Sequence, residues 1–468
     1  MTAKALILAA GAGTRMKSDK PKVVHEVLGK PLVRWVVDAA HDAGIEDVVT
    51  VLGHMSEKVA PFVEGDTKIA IQTQQLGTGD AVNAGREAFT QADGSIAEGS
   101  LVVLSGDCPL ITPETIQALI AKREETGAAV VVLTMHMDDP FGYGRIVREG
   151  EAVVRIVEQK DANEQEAAIT ECNSGFYCFD APALFDALSR VSNDNAQGEY
   201  YLTDVLEICR NDGREVLALQ TADAEEAMGV NSRVQLAQAT HAMQHRINNR
   251  HMMAGVTMWD PESTFIGPDV EIAQDVELWP QTYLLGTTKV GSHSVIGPNT
   301  RLTDTQVGCG ARVDETVAIE AQIDDAAECG PRAYLRPGTH LCEGAKAGTH
   351  VEIKKSTIGK GSKVPHLSYI GDTTMGENVN IGAGSITCNY DGVNKNHTEI
   401  GDNVFVGSDT MMVAPVNIGA GAIIGASSCI TRDVAPDALA LERADQREIE
   451  GWAAKHMAKL KAKKEAGK

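Results

Sequence analysis

The sequence predicts two structural classes in one chain: an α/β domain with a mostly parallel sheet, followed by a parallel β-helix. Two observations predict this. Over residues 1–231 short apolar runs alternate with helical stretches, and from about residue 255 an aliphatic residue recurs every six positions. A third observation marks the join: Ser232 to Ala254 contain neither Gly nor Pro.

In the first half the apolar runs are Ala5–Leu8, Val48–Leu52, Leu101–Leu104 and Ala129–Leu133. Near-continuous apolar runs of this length read as strands buried on both faces, the pattern of a parallel sheet. Pro31–Asp42 and Pro113–Glu125 lie between them and read as amphipathic helices. Further on, Leu236, Ala239, Met243 and Ile247 recur at helical spacing. Ser232 with Gln235 predicts a capping box at the start of one connecting helix over 232–254.

The six-residue period runs through 255–442. It is carried by Ile266 and Ile272, by Val290, Ile296 and Leu302, and by Val307 and Val313. It continues at Ile358 and Val364, Met375 and Ile381, Ile400, Val406 and Met412, and Ile418, Ile424 and Ile430. Such a period fits neither an isolated helix nor a hairpin. It fits stacked coils of three short strands, about 18 residues per turn, with one aliphatic residue per side pointing inward. The Gly that often follows the aliphatic residue is expected to serve tight corners. The repeat is expected to break at 332–350 and at 388–397, and such insertions often carry function. Residues 443–468 read as a C-terminal tail, and its last stretch, Lys455–Lys468 with six Lys and little apolar surface, as solvated and frayed.

Composition bounds the function. The net charge of −23 argues against nucleic-acid binding and requires any phosphate-bearing substrate to meet a locally basic site. Nine scattered Cys without a CxxC pair do not form a zinc framework. No apolar run approaches the ~18–20 residues of a membrane span. The first residues lack the apolar region and cleavage site of a secretory signal, so a cytoplasmic protein with reduced thiols is expected.

The first strand runs into Leu8-Ala9-Ala10-Gly11-Ala12-Gly13-Thr14-Arg15-Met16, followed by Pro21-Lys22. A Gly-rich turn after a strand brings backbone N–H groups close to a phosphate, and Arg15 and Lys22 supply the charge to neutralise a polyphosphate. Ser105-Gly106-Asp107 ends another strand, at the edge where α/β sites form. These segments, with Gln72–Gly79, Gly142–Arg145, Glu158, Lys160, Asn173, Gly198–Asp204 and Gly229–Asn231, resemble the sugar-nucleotide pyrophosphorylases. The resemblance implies a Rossmann-like nucleotidyltransferase domain over 1–231. It places the nucleotide and sugar along Leu8, Ala9, Ala10, Gly11, Lys22, Gln72, Gly77, Thr78, Gly144, Glu158, Asn173 and Asn231. Gln72 and Gly77 would read uracil, and Glu158 and Asn173 the sugar. Asp107 and Asn231 would hold Mg²⁺, while Lys22 and Arg15 would stabilise charge in the transition state. Cys108, next to Asp107, reads as a buried small hydrophobe.

The second half is similar to the hexapeptide-repeat acyltransferases. The carrying segments include Leu335–Gly338, Val351–Lys355, His366–Asp372, Asn378–Gly384, Cys388–Gly392, Gly407-Ser408 and Gly425-Ala426. Both halves in this order resemble the bacterial bifunctional N-acetylglucosamine-1-phosphate uridyltransferases/glucosamine-1-phosphate acetyltransferases. That resemblance implies a left-handed parallel β-helix of hexapeptide repeats and a homotrimer. It assigns glucosamine 1-phosphate to Arg336, Lys354, Tyr369 and Asn380. Acetyl-CoA falls to Ala383, Asn389, Tyr390, Ser408, Ala426 and Arg443. Glu352 would orient or polarise the site. His366 suits the general base, because an imidazole titrates near neutrality. The substrates implied are glucosamine 1-phosphate, acetyl-CoA and UTP.

Three other readings compete. One is a nucleotidyltransferase alone, with a structural or regulatory β-helix; the set Arg336, Lys354, His366 and Asn389-Tyr390 argues against it. Another is a non-catalytic exchange-factor subunit, against which stand Arg15, Lys22 and Asp107. The third is a zinc hydratase using His340, His350 and His366, whose spacings do not repeat a coil.

Overall fold

The computed structural model describes residues 3–467. It divides into two compact units, one of Met1–Arg250 with Phe265–Pro268, the other of His251–Thr264 with Asp269–Lys468.

The first unit is built on one sheet. Its order is Val216–Gln220, Val130–His136, Glu171–Asp180, Ser100–Ser105, Lys4–Ala9, Asp47–Leu52 and Lys68–Ile71. All neighbours are parallel except Glu171–Asp180, which runs against both of its partners. The apolar runs are strands because alternate residues feed two cores. Ala5 and Ile7 join Val36, Val102 and Leu104 on one face. Leu6 joins Val49, Val103, Phe179 and Phe185 on the other.

The helices form where expected, at Leu32–Asp42 and Pro113–Thr126. In the second, Pro113 opens the helix, the Thr112 hydroxyl accepts the Thr115 N–H at 3.2 Å, and Gly127 closes it at φ 69°. The connecting helix spans Arg233–Met253. Its cap differs from the predicted box. Ser232 Oγ accepts the Gln235 N–H at 3.2 Å, but the Gln235 side chain accepts from the Asn231 N–H, 2.9 Å away, one residue earlier.

The second unit is a left-handed parallel β-helix of hexapeptide repeats. Its short strands fall into three parallel stacks, one per side of the coil. Leu284, Ile296, Val313, Ile353, Val364 and Ile381 are fully buried and line the interior. Coil length varies. Glu277 pairs with Val295, Val295 with Arg312 and Arg312 with Glu328, giving coils of 18, 17 and 16 residues. The sequence pattern did not show the buried hydroxyls at the corners. Thr288 Oγ1 donates to the Leu285 carbonyl at 2.7 Å and Ser294 Oγ to that of Gly308 at 2.8 Å, satisfying main-chain oxygens that the narrow interior cannot hydrate.

Three expectations are corrected. First, the repeat does not break at 332–350. Tyr334–Leu335, His340–Leu341 and Lys346–Thr349 are strands in register with the coils on either side, because Leu335, Leu341 and Ala347 keep the six-residue period. The break at 388–397 is real: Asn380 pairs with Phe405, 25 residues on, and the extra residues form a loop closed by a Tyr390–Lys395 bridge. Second, the Gly after the aliphatic residue mostly serves coil stacking, although Gly297 after Ile296 does take a positive-φ turn, at φ 103°. A Cβ on Gly291 would sit 2.6 Å from the Gly308 carbonyl carbon, and one on Gly382 would sit 2.4 Å from the Ser408 nitrogen. Many corners with positive φ are instead occupied by His293, Asn299, Asp304 and similar residues. Third, the described part of 455–468 is not frayed. Trp452–Ala466 is an exposed helix, because its Ala, Lys and Leu residues are strong helix formers; Lys468 lies outside the described residues. No helix among the described residues is long and apolar enough to cross a membrane.

Candidate active sites

The candidate site of the first unit lies at the C-terminal ends of the central strands. After Ala9 the chain turns through Gly11–Gly13. Gly13 has φ 65°, and a Cβ there would lie 2.5 Å from Lys22 Cβ. Only Gly lets Lys22 approach. The Lys22 ammonium is ion-paired with Asp107 and donates to Asn231 Oδ1 at 2.9 Å. Arg15 Nη2 donates to the same oxygen at 2.9 Å. Asp107 is held by its neighbours: Gly106 N–H bonds the Leu8 carbonyl at 2.9 Å, and the Asp107 carbonyl accepts the Val230 N–H at 2.9 Å. Four residues from three distant segments therefore meet, two cations and two oxygen donors. Burial and the Asp107 charge push the Cys108 thiol well up, so it stays protonated and is no nucleophile.

Gln72 and Gly77 lie in a second wall. Gln72 Nε2 donates to the Gly77 carbonyl at 3.2 Å and to Asp80 at 2.8 Å. A Cβ on Gly77 would be 2.5 Å from the Tyr200 carbonyl oxygen, and Thr78 Oγ1 accepts the Leu202 N–H at 3.0 Å. This loop is clamped against 198–204. On a third wall Asn173 N–H bonds the Gly144 carbonyl at 2.8 Å, and Asn173 Nδ2 donates to Tyr177 Oη at 2.7 Å. A Cβ on Gly144 would meet Asn173 and Glu158 within 3.4–3.6 Å. Burial, opposed by the Thr203 hydroxyl, holds the Glu158 carboxyl above its ordinary range. Arg145 of the same motif is buried and serves the fold, bonding the Tyr143 carbonyl and Gln159 Oε1.

The second unit presents a polar network along one strand stack. Tyr334, Glu352, Tyr369 and Ile386 lie in register on successive coils. Arg336 Nη1 donates to Glu352 Oε1 at 2.9 Å. Lys354 Nζ donates to both Asp372 oxygens, at 3.1 and 2.9 Å. Asn389 Nδ2 donates to Asp372 Oδ2 at 2.5 Å and to Tyr369 Oη at 3.3 Å. Burial alone would raise the Asp372 carboxyl; Lys354 and Asn389 outweigh it and hold the group below its ordinary range. Gly371 makes this possible, since a Cβ there would be 2.5 Å from Tyr369 Oη and 2.6 Å from Asn389 Nδ2. Asp372 and Gly371 had no assigned role from sequence. The signal was register: Lys354 pairs with Gly371, so the carboxylate one residue on lies beside the lysine.

A corner column runs beside this network. Gly384 N–H bonds the Leu367 carbonyl at 3.1 Å, Asp409 N–H that of Ala383 at 2.7 Å, and Ser427 N–H that of Ser408 at 2.8 Å. Successive corners thus carry His366, Ala383, Ser408 and Ala426, and Arg443 Nη1 donates to the Ala426 carbonyl at 3.1 Å. His366 is exposed, and among the described residues its ring has no hydrogen-bond partner. Tyr390 stands on the inserted loop with the Lys395 ammonium 4.0 Å from its ring centre. Asn380 is not in the Arg336–Lys354–Tyr369 network; it lies on a different strand stack, paired with Lys363. Nor does the trio His340, His350 and His366 form a metal cluster among the described residues.

The model for a MobA-like NTP transferase domain matches residues 5–207, and that for the bacterial transferase hexapeptide, six repeats, matches 397–432. A protein of Streptomyces coelicolor called Bifunctional protein GlmU is 51% identical over 458 residues, covering 97% of this chain and 94% of that one. Proteins of the same name from Streptomyces avermitilis and Syntrophomonas wolfei are 49% and 48% identical, over 97% and 96% of this chain and 94% and 99% of their own lengths.

Proposed function

The chain belongs to the bifunctional GlmU family, and on that premise we propose that it makes UDP-N-acetylglucosamine by two reactions at two sites. In the second unit the amine of glucosamine 1-phosphate attacks the thioester carbonyl of acetyl-CoA. A C–N bond forms, the C–S bond breaks, and CoA leaves as the thiol. Arg336 and Lys354 hold the sugar phosphate, with Tyr369 and Asn380 on the sugar. His366 takes the amine proton. The corner column of Ala383, Ser408 and Ala426, with Asn389, Tyr390 and Arg443, holds acetyl-CoA.

In the first unit a phosphate oxygen of N-acetylglucosamine 1-phosphate attacks the α-phosphorus of UTP, and pyrophosphate leaves. No protein nucleophile is required. Lys22 and Arg15 place positive charge where it builds up negatively, and Gln72, Gly77, Thr78, Gly144, Glu158 and Asn173 orient base and sugar. Leu8, Ala9, Ala10 and Gly11 line the nucleotide's path. The oxygens of Asp107 and Asn231 both face the Lys22 ammonium, a donor set that fits a hard cation. These two would hold Mg²⁺, which neutralises phosphate charge when bound.

The observation that carries the two-activity reading over a nucleotidyltransferase with a scaffold is the network of Arg336, Glu352, Lys354, Asp372, Tyr369 and Asn389. A mere scaffold has no use for a buried carboxylate that ties a lysine to an asparagine. The domains of this reading are 1–231, 232–254, 255–442 and 443–468. A homotrimer in the cytoplasm belongs to it as well. The open setting of His366 and Tyr390 supports assembly, because a site closed by a second copy leaves its half uncovered on one chain.

The test is to mix the full chain with acetyl-CoA and glucosamine 1-phosphate, without UTP or Mg²⁺, and follow the acetylated sugar phosphate by mass. Product that vanishes in His366→Ala is expected. No product from folded protein would remove the acetyltransferase half of the proposal.

A further inference from the structure

We propose that the outer face of the β-helix carries a divalent-metal site for an ion of the Zn²⁺ or Co²⁺ class, formed by Asp324, His340 and Cys342. Each offers one ligand atom, and the three atoms lie within 4.8 Å of one another.

The strand pattern builds the site. Leu341 is fully buried, so its neighbours His340, in the same strand, and Cys342, just past its end, lie on the outer side. Ile323 pairs with Leu341 on the preceding coil, which sets Asp324 level with Cys342 and Gln322 level with His340. The four side chains make a two-by-two array. His340 Nε2 is 2.8 Å from Asp324 Oδ2 and 3.9 Å from Cys342 Sγ. Gln322 Nε2 donates to the other carboxylate oxygen at 2.8 Å, orienting the ligand as outer partners do in metal sites.

The distances suit one centre. With Zn–N near 2.0 Å and Zn–S near 2.3 Å, a tetrahedral ion spaces N and O by about 3.3 Å and N and S by about 3.5 Å. The observed 2.8 and 3.9 Å fall on either side, so each His340 pair needs a shift of about half an ångström, and the Asp324–Cys342 pair, within 4.8 Å, closes toward about 3.5 Å. On the next coil Ile358 pairs with Leu341, so Gly359 is level with Cys342. The residue beside the thiol on that coil therefore carries no side chain, and the fourth ligand of the proposed site is a water. A thiolate and an imidazole select zinc or cobalt over Mg²⁺, whereas Asp107 and Asn231 offer oxygen alone. None of the three residues is used in either proposed reaction.

The experiment titrates Co²⁺ into the chelator-stripped full chain in excess Mg²⁺. One Co²⁺ per chain is expected, with the intense visible bands of a four-coordinate ion and thiolate-to-cobalt charge-transfer absorption. One equivalent of Zn²⁺ should bleach both. Cys342→Ser should abolish the charge-transfer absorption, and His340→Gln should weaken binding at least tenfold, while acetyl and uridylyl transfer persist. Absence of charge-transfer absorption in the parent chain would overturn the proposal. The same absorption in Cys342→Ser would also overturn it and point to the exposed thiols Cys309 and Cys429. If thermal melting finds Cys342→Ser unfolded, the affinity of His340→Gln decides.

Discussion

Gly371→Ala separates the acetyl-transfer chemistry from the fold. The added Cβ would stand 2.5 Å from Tyr369 Oη and 2.6 Å from Asn389 Nδ2, where ordinary contacts begin near 3.4 Å. Both are side-chain ends, so they can retreat by about an ångström and the coil survives. The retreat is what matters. Asn389 reaches Asp372 at 2.5 Å and Tyr369 Oη at 3.3 Å, and an ångström breaks both bonds. A hydrogen bond to a charged group contributes about 1.5–3 kcal/mol. If that energy positions substrate in the transition state, acetyl transfer falls by about 10- to 100-fold. The assay follows acetylated sugar phosphate by mass and, separately, UDP-N-acetylglucosamine from UTP and N-acetylglucosamine 1-phosphate. Only the first should fall, with little change in melting. Acetyl transfer within twofold of the parent would show that the Tyr369–Asn389–Asp372 arrangement does not position substrate.

Gly13→Ala is the counterpart in the first unit. It forces Ala to φ 65° at about 1–2 kcal/mol and drives a Cβ into Lys22. Uridylyl transfer should drop about 100-fold with acetyl transfer unchanged, read from the same two assays. Cys108→Ala should leave uridylyl transfer within threefold, since the buried thiol is protonated, and lower stability by about 1 kcal/mol in denaturant melts. For Asp204, burial first, then Glu207 and Asp161, lift the carboxyl to about 6. Its raised folded value means that ionisation opposes folding, absent below the unfolded pKa and fully felt above about pH 6. A shift of about two units is worth about 3 kcal/mol if wholly buried, and partial exposure reduces this to about 1–2. Asp204→Asn should therefore stabilise the first unit by that amount near pH 7.5 and by nothing near pH 4, measured by denaturant unfolding at each pH.

Much of this was legible in the residues, and the rest fails for physical reasons. Strands such as Lys4–Ala9 announce themselves because both faces are buried and no polar residue interrupts them. Glu171–Asp180 does not, since Asn, Ser and Gly interrupt its apolar pattern where it bends past Asn173. The coil at 332–350 escaped notice because Ala347 fills an inward position where a larger aliphatic residue was expected. In the front site Lys22, Arg15, Asp107 and Asn231 converge as a group. In the back site Arg336 and Lys354 each have an acidic partner, while Asn380 lies on another stack. Asp372 could not be singled out by residue type alone, because its role comes from the lysine one coil away.

The β-helix gives the back site an order of failure. Each coil is secured mainly by the coils before and after it, so a solenoid can loosen from its last turns without melting as a whole. The stretch from Arg336 to Asp372 precedes the long loop at 388–397, while Ser408, Ala426 and Arg443 follow it. Gentle heating that unzips the final coils would carry away Ser408, Ala426 and Arg443, part of the proposed acetyl-CoA site, while the Arg336–Glu352 and Lys354–Asp372 pairs stayed assembled. On the proposed assignment, such a chain would keep its acceptor site whole and its donor site only in part.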